Sequence, residues 1–377
     1  MSCSTIMIVG LGEIGGKALE ILARRPNIGR IVAADVNADY GRKKVNNAIY
    51  GAQMEGFYPN VEFTEIDLQN IDETADILRK FSPSVIFNST SLQSYWVIEL
   101  LPKEIHRKFQ EASYGPWLPM HLTLCHQLMK AVGESGIRAH VVNGAYPDAV
   151  NPVLGKIGLA PTAGIGNLEL IIPQIRSLVS KKLGVPDRSV TPMLVMHHYA
   201  EYWVVREGHT GGAPYCLKIY VHGQDATPQI RADELFPEII RSAARPGRPD
   251  AHYIVASSAV QKIMAIFANT NELCHVAGPA GKVGGYPTLI NAEGARVVLP
   301  EGISMRDAEE INEKSQILEG IEAIRHDGAV VFTEKSSRLM KELLGYDCKV
   351  MKIDESQERA KELGKLYNAF IKKYPLG

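Results

Sequence analysis

A short apolar run that breaks into a glycine-spaced turn and resumes as an amphipathic segment constrains this chain more than any other feature. Ile6-Met-Ile-Val9 has the apolar continuity of a buried strand. Gly10-Leu-Gly-Glu-Ile-Gly15 follows at once, and Ile14, Ala18, Leu19, Ile21 and Leu22 then recur at helical spacing, opposite Lys17, Glu20 and Arg24. Pro26 closes that helix, and a second apolar run, Ile31-Val-Ala-Ala34, ends on Asp35. Each part meets a requirement of dinucleotide binding. Gly10 permits the tight turn, Gly12 lets a diphosphate approach the backbone, and Gly15 allows close helix–strand packing. The helix start offers unpaired N–H groups to phosphate. Asp35 stands about 20 positions beyond the last glycine, where an acid binds ribose hydroxyls.

These residues predict a Rossmann unit. The expected cofactor contacts are Gly10, Leu11, Gly12, Glu13, Ile14, Gly15 and Asp35, joined by Asn88, Ser89 and Thr90 at the end of the apolar run Ser84–Phe87. Ligands of a doubly wound sheet sit beyond the carboxyl ends of its strands, which is where those three small polar residues fall. Asp35 would repel a 2′-phosphate, so NAD is expected. Arg42, Lys43 and Lys44 downstream keep NADP open.

The 377 residues suffice for two sizeable domains. With 45% hydrophobic residues, 22% charged residues and a net charge of −1, the composition gives no electrostatic reason to expect nucleic acid. No apolar run is long enough to span a bilayer, and the first strand starts too early for a signal peptide. The five cysteines are odd in number and show no paired spacing, so reduced thiols and a cytoplasmic location are expected. His121 and Cys125 are four residues apart, but that stretch offers too few ligands for a metal, and none is expected.

Along the chain, strands at 61–67, 84–90 and 139–143 alternate with helical segments, which places a dinucleotide domain at 1–150. Residues 91–120 are aromatic and proline-bearing, and read as a mobile segment over the site, with Gln93 as a substrate contact. Asn151 precedes Pro152 and would cap a helix while offering its amide to a ligand. The remainder reads as an α+β substrate and dimerisation domain over 151–350, followed by a helix over 351–377 packing back on a domain. Its antiparallel hairpin would comprise Met193–Arg206 and Ala213–His222, with His197 and His198 on opposite faces of one strand. A short sheet is expected around Gly281–Leu299.

With Asn151-Pro-Val153, Asn167-Leu-Glu169, Lys182-Leu-Gly-Val185 and Met193-Leu-Val-Met-His-His198 in view, the chain resembles the lactate/malate dehydrogenase superfamily over most of its length. The resemblance implies a nicotinamide-dependent dehydrogenase acting on a small hydroxy or oxo acid. It implies His198 as the proton-transferring histidine and Glu169 as the carboxylate that orients it. The family's substrate-binding arginine has no clear match, Arg176 aligning with a neighbouring position, and Leu92–Trp96 stand where its basic loop would be. The chain is also similar to saccharopine dehydrogenase-like reductases, through Thr64-Glu-Ile-Asp67 and Gly144-Ala-Tyr-Pro-Asp-Ala-Val-Asn151.

Hydride transfer needs a proton to move the other way, and a histidine suits that role. Glu201 is the alternative orienter and His197 the alternative acid/base, with His209 a weaker one. Arg206 and Lys218 are candidates for a substrate carboxylate. Three classes stay open: a hydroxy-acid dehydrogenase, an imine reductase of the saccharopine kind, and a non-catalytic cofactor-sensing protein. The large second domain points to a homodimer or higher homo-oligomer.

Overall fold

A computed structural model describes residues 5–247 and 250–374. Strands β1 (Thr5–Val9), β2 (Arg30–Asp35), β3 (Val61–Glu65), β4 (Val85–Asn88), β5 (His140–Asn143) and β6 (Ala163–Gly164) form a parallel sheet. A separate antiparallel sheet holds β7 (Val190–Val195), β8 (Cys216–Val221) and β9 (Gln224–Asp225). Strands β10 (Glu272–Ala277), β11 (Gly285–Asn291) and β12 (Gly294–Val297) then return to the first sheet and extend its β6 edge in antiparallel fashion. The order is β12-β11-β10-β6-β5-β4-β1-β2-β3. The doubly wound sheet and the separate antiparallel sheet expected from the sequence are both present.

The parallel strands are buried because helices cover both faces. Met7, Val9, Val32 and Ile86 pack with Leu78, Leu122 and Leu128 on one side. Ile6, Ile8, Ala33 and Phe87 pack with Leu19, Leu22, Val260 and Ile263 on the other. The helix Pro147–Lys156 runs across residues 150 and 151, and the nine-stranded sheet continues through β12. The strands after Gly281 are therefore the edge of the main sheet rather than a short sheet of their own. The closing helix, Ser356–Ile371, packs on the helix Leu118–Ser135.

One expected strand is corrected. β7 ends at Val195, and His198–Glu207 is a helix rather than the continuation of a strand to Arg206. His197 caps it, its Nδ1 accepting the Tyr199 N–H at 3.2 Å, and Ala200 and Val204 bury the same face one turn apart. The two histidines thus sit at a strand-to-helix corner, and the period-two reading that separated them does not apply.

Residues 91–120 are regular in part, with a 3-10 turn over Tyr95–Leu100 and a helix over Lys103–Ala112. Gln110 Nε2 donates to the Tyr202 hydroxyl at 2.6 Å and Arg206 reaches Glu99 at 2.8 Å, so this segment is tied to the helix His198–Glu207. Cys125, Cys216, Cys274 and Cys348 are free thiols, and Cys3 lies outside the described residues. Among the described residues, no helix is long and apolar enough to cross a membrane.

The order of the sheet reverses between β1 and β4, and the glycine turn leaves β1 at that point. A Cβ on Gly15 would lie 1.9 Å from the Gly10 carbonyl oxygen, so helix and turn touch backbone to backbone. Gly15→Ala is expected to cost about 1–3 kcal/mol, the usual range for overpacking. Urea denaturation checks this, and an unchanged midpoint would show that the contact relaxes freely.

Candidate active site

A cleft of about 800 Å³ runs from the glycine turn, past the ends of β4 and β5, to the helix His198–Glu207. At its glycine-turn end Gly10 has φ 90°, which a side chain resists. A Cβ on Gly12 would meet nothing within 4 Å, so this backbone faces open space at the first turn of the helix Glu13–Leu22. Turn, open amides and cleft therefore fit a bound diphosphate. Asp35 accepts the Leu11 N–H at 2.7 Å through Oδ2 and the Asn37 N–H at 2.9 Å through Oδ1. Glu13 and Ile14 line the cleft, whereas the Leu11 side chain is in the core.

Ser89 and Thr90 also line the cleft. Asn88 is buried beneath them: its Oδ1 accepts the Thr90 hydroxyl at 2.7 Å, and its Nδ2 donates to Asn143 Oδ1 at 2.9 Å. Its amide braces the lip of the cleft from below. Of the basic residues after β2, Lys43 pairs with Asp39 at 2.6 Å and Arg42 covers the Phe63 ring. Lys44 Nζ lies 5.5 Å from the centre of the Tyr40 ring.

The other end is built around a buried carboxylate that sequence reasoning missed, Glu319. It follows the helix Met305–Leu318 and is 3% exposed. The Tyr146 hydroxyl donates to its Oε2 at 2.7 Å, His198 Nδ1 is hydrogen-bonded to its Oε1, and His197 Nδ1 is 3.6 Å from Oε2. Asp148, fully buried, accepts the His198 backbone N–H at 3.1 Å and is bonded on its other oxygen by Asn167. The His198 ring alone among the two histidines reaches the cleft, with 21% of its side chain exposed. His197 is wholly buried and serves as the helix cap.

Burial by itself lowers the His198 pKa. The Glu319 charge and hydrogen bond outweigh it, Asp148 and Glu201 add to them, and the value is raised to about 9. Burial raises Glu319, but His198 and His197 hold its carboxyl below the ordinary range. His198 is thus an imidazolium at neutral pH, facing the cleft. Beside it the Tyr114 hydroxyl lies 2.5 Å from His121 Nε2. Burial, and then the His198 charge, press His121 down to about 3, so it is neutral.

The remaining expected site residues are distributed differently. Glu169 does not approach His198: the 3-10 turn Asn167–Ile171 turns it toward Lys262 and Ser258, with which it forms a buried ion pair and hydrogen bond. Asn167 of the same motif faces the site instead. Glu201 is buried in the cleft wall, and burial raises its carboxyl. Asn151 lies inside the helix Pro147–Lys156 rather than at its cap. Its amide is bonded to Asn143 at 2.9 Å and to the Gly278 carbonyl at 3.0 Å, and it does not line the cleft. Arg206 lines the cleft in its pair with Glu99, whereas half-buried Gln93 does not line it. Arg176 donates to the Val190 carbonyl, Lys218 lies 3.7 Å from Asp225, and His209 stacks on Trp203. Glu319 carries no local signal, since it stands 121 residues from His198 in an ordinary helix end.

No protein-family model matches the sequence, and a search of curated proteins gives no match. Solved structures do. A lactate dehydrogenase from Eimeria maxima, crystallised with NADH and oxamate, superposes with a TM-score of 0.58 at 13% identity, covering 84% of this chain and 92% of that one. The lactate dehydrogenase from Cryptosporidium parvum, complexed with lactic acid and cofactor, gives 0.55 at 17% identity, covering 84% and 98%. Malate dehydrogenase from Plasmodium falciparum gives 0.54 at 14% identity, covering 96% and 99%. At these identities the likeness is one of fold.

The Glu169–Lys262 pair is buried, so removing one partner strands a charge. Glu169→Gln and Lys262→Met are each expected to cost about 3–5 kcal/mol, and Glu169→Leu with Lys262→Met to recover much of it. Equilibrium urea unfolding measures all three. Single variants as stable as the parent would show that the pair is not desolvated.

Proposed function

We propose that this protein is a nicotinamide-dependent oxidoreductase that interconverts a hydroxy and an oxo carbon, with His198 moving the proton. The observation that carries this reading is the His198–Glu319 pair, which opens onto the same cleft as the glycine turn. The likeness in fold to dehydrogenases crystallised with NADH supports the same class.

Gly12 and the first turn of the helix Glu13–Leu22 would hold the diphosphate, and Ser89 and Thr90 would border the ring at the carboxyl end of β4. Asp35 puts negative charge at the end of β2, the ribose position of such folds, which favours NAD over NADP. When bound, the nicotinamide supplies or takes up the hydride. In the reducing direction the His198 imidazolium gives its proton to the carbonyl oxygen as that oxygen gains charge. In the oxidising direction the neutral ring takes the hydroxyl proton. Glu319 fixes the ring's orientation and favours its charged form, Tyr146 holds Glu319, and Asp148 anchors the His198 backbone. The substrate expected from the resemblance is a hydroxy or oxo acid, although the arginine partner of such an acid has no counterpart at Arg176.

Turnover of NADH with a panel of oxo acids, ketones and oxo acid–amine mixtures, followed at the nicotinamide band, tests the class. His198→Asn is expected to lower kcat by about 10²–10⁴, the usual worth of a general acid, while the Kd for NADH stays within a few-fold. Reduction should slow as pH rises through about 9, because the acid is lost, and oxidation should speed up over the same range. Unaltered turnover in His198→Asn would remove the histidine from the mechanism.

A further inference from the structure

The cleft does not stop at His198. It follows the helix His198–Glu207 to Arg206, eight residues on, which at the rise of an α-helix is about 12 Å. That length far exceeds what a three- or four-carbon acid needs beside the proton donor. Half-buried apolar and aromatic side chains line this extension: Trp96 and Ile98 from the segment after β4, Tyr202, Trp203 and Val205 from the helix, and Ile240 from the helix Ala232–Ser242.

Most of the polar groups of this wall are engaged with one another; Gln174, which also lines it, donates to the Ala243 carbonyl at 2.7 Å. Arg206 pairs with Glu99 at 2.8 Å, and its guanidinium lies 3.8 Å from the centre of the Tyr202 ring. The Tyr202 hydroxyl accepts from Gln110 at 2.6 Å. Glu201 lies 4.0 Å from Arg245. A guest in the extension therefore meets chiefly ring faces and hydrocarbon. Apolar clefts with few polar anchors select for apolar surface.

Resting on the reading of His198 as the proton-transferring group, we infer that this extension is a tail subsite, and that the substrate is an oxo or hydroxy compound carrying a large apolar or aromatic substituent. Short acids leave the extension filled with water and gain nothing from it. Aromatic tails displace that water and cover Trp203 and Tyr202.

Calorimetry on the intact protein saturated with NAD compares pyruvate with 4-phenyl-2-oxobutanoate, a pairing in which no hydride can move. The phenyl compound is expected to bind on the order of 10–100-fold more tightly, the range by which hydrophobic pockets discriminate. Ile240→Trp, which fills the extension, should abolish that preference and leave pyruvate binding as it was. Trp203→Ala should weaken only the phenyl compound, with Trp203→Phe restoring most of its binding. Equal affinities, no binding of the phenyl compound, or a preference that survives Ile240→Trp would each overturn the inference. Turnover with NADH is read separately: tail-dependent binding without His198-dependent turnover would keep the subsite and discard the proposed chemistry.

Discussion

A buried carboxylate organises the His198 end of the cleft. Taking an anion such as Glu319 out of water costs several kcal/mol unless donors replace the lost hydration. Here they come from separate parts of the chain: Tyr146 at the head of one helix and His198 at the corner after β7, with the His197 ring 3.6 Å away. The Glu319 backbone carbonyl also accepts the Gly115 N–H at 2.7 Å, which brings in the segment beneath Tyr114. These partners decide the charge state of the one histidine ring of the pair that faces the cleft. A neutral residue in place of Glu319 would leave burial to lower the His198 pKa with less opposition.

The two ends of the cleft share a buried polar framework. From the lip, Thr90 donates to Asn88, Asn88 to Asn143, Asn143 to Asn151, and Asn151 to the Gly278 carbonyl. Asn143 also binds the Ala145 carbonyl and N–H, fixing the turn that presents Tyr146 and Asp148. These buried amides hold Ser89 and Thr90 at one end and Tyr146 and Asp148 at the other. Because each group is satisfied, the framework is rigid at little desolvation cost.

The glycine-turn end of the fold was legible in the sequence because its determinants are local. Strand, turn, helix, strand and acid lie within Thr5–Asp35, and each follows from periodicity or glycine spacing. His198 was singled out through the resemblance and through its chemistry, and its ring lines the cleft. Its carboxylate was not, since a contact across 121 residues leaves no periodic trace. Glu169 misled because its motif fixes the backbone turn but not the partner, and Lys262 sits in a helix whose pattern reads only as amphipathic. The corner at His197 was hidden by Val204 and Val205, residues that favour strands, whereas the cap at His197 and the four-residue spacing of Ala200 and Val204 set a helix.

Glu319 is expected to hold His198 protonated at the edge of the cleft that opens at the glycine turn. An NMR titration of ¹⁵N-labelled histidines, recorded with NADH present in the parent and in Glu319→Gln, tests it most directly. His198 should titrate near 9 in the parent and several-fold to many-fold more readily lose its proton in Glu319→Gln, with a midpoint moved toward or below the ordinary histidine value. A parent His198 that titrates at the ordinary value, with Glu319→Gln leaving it unmoved, would contradict the claim.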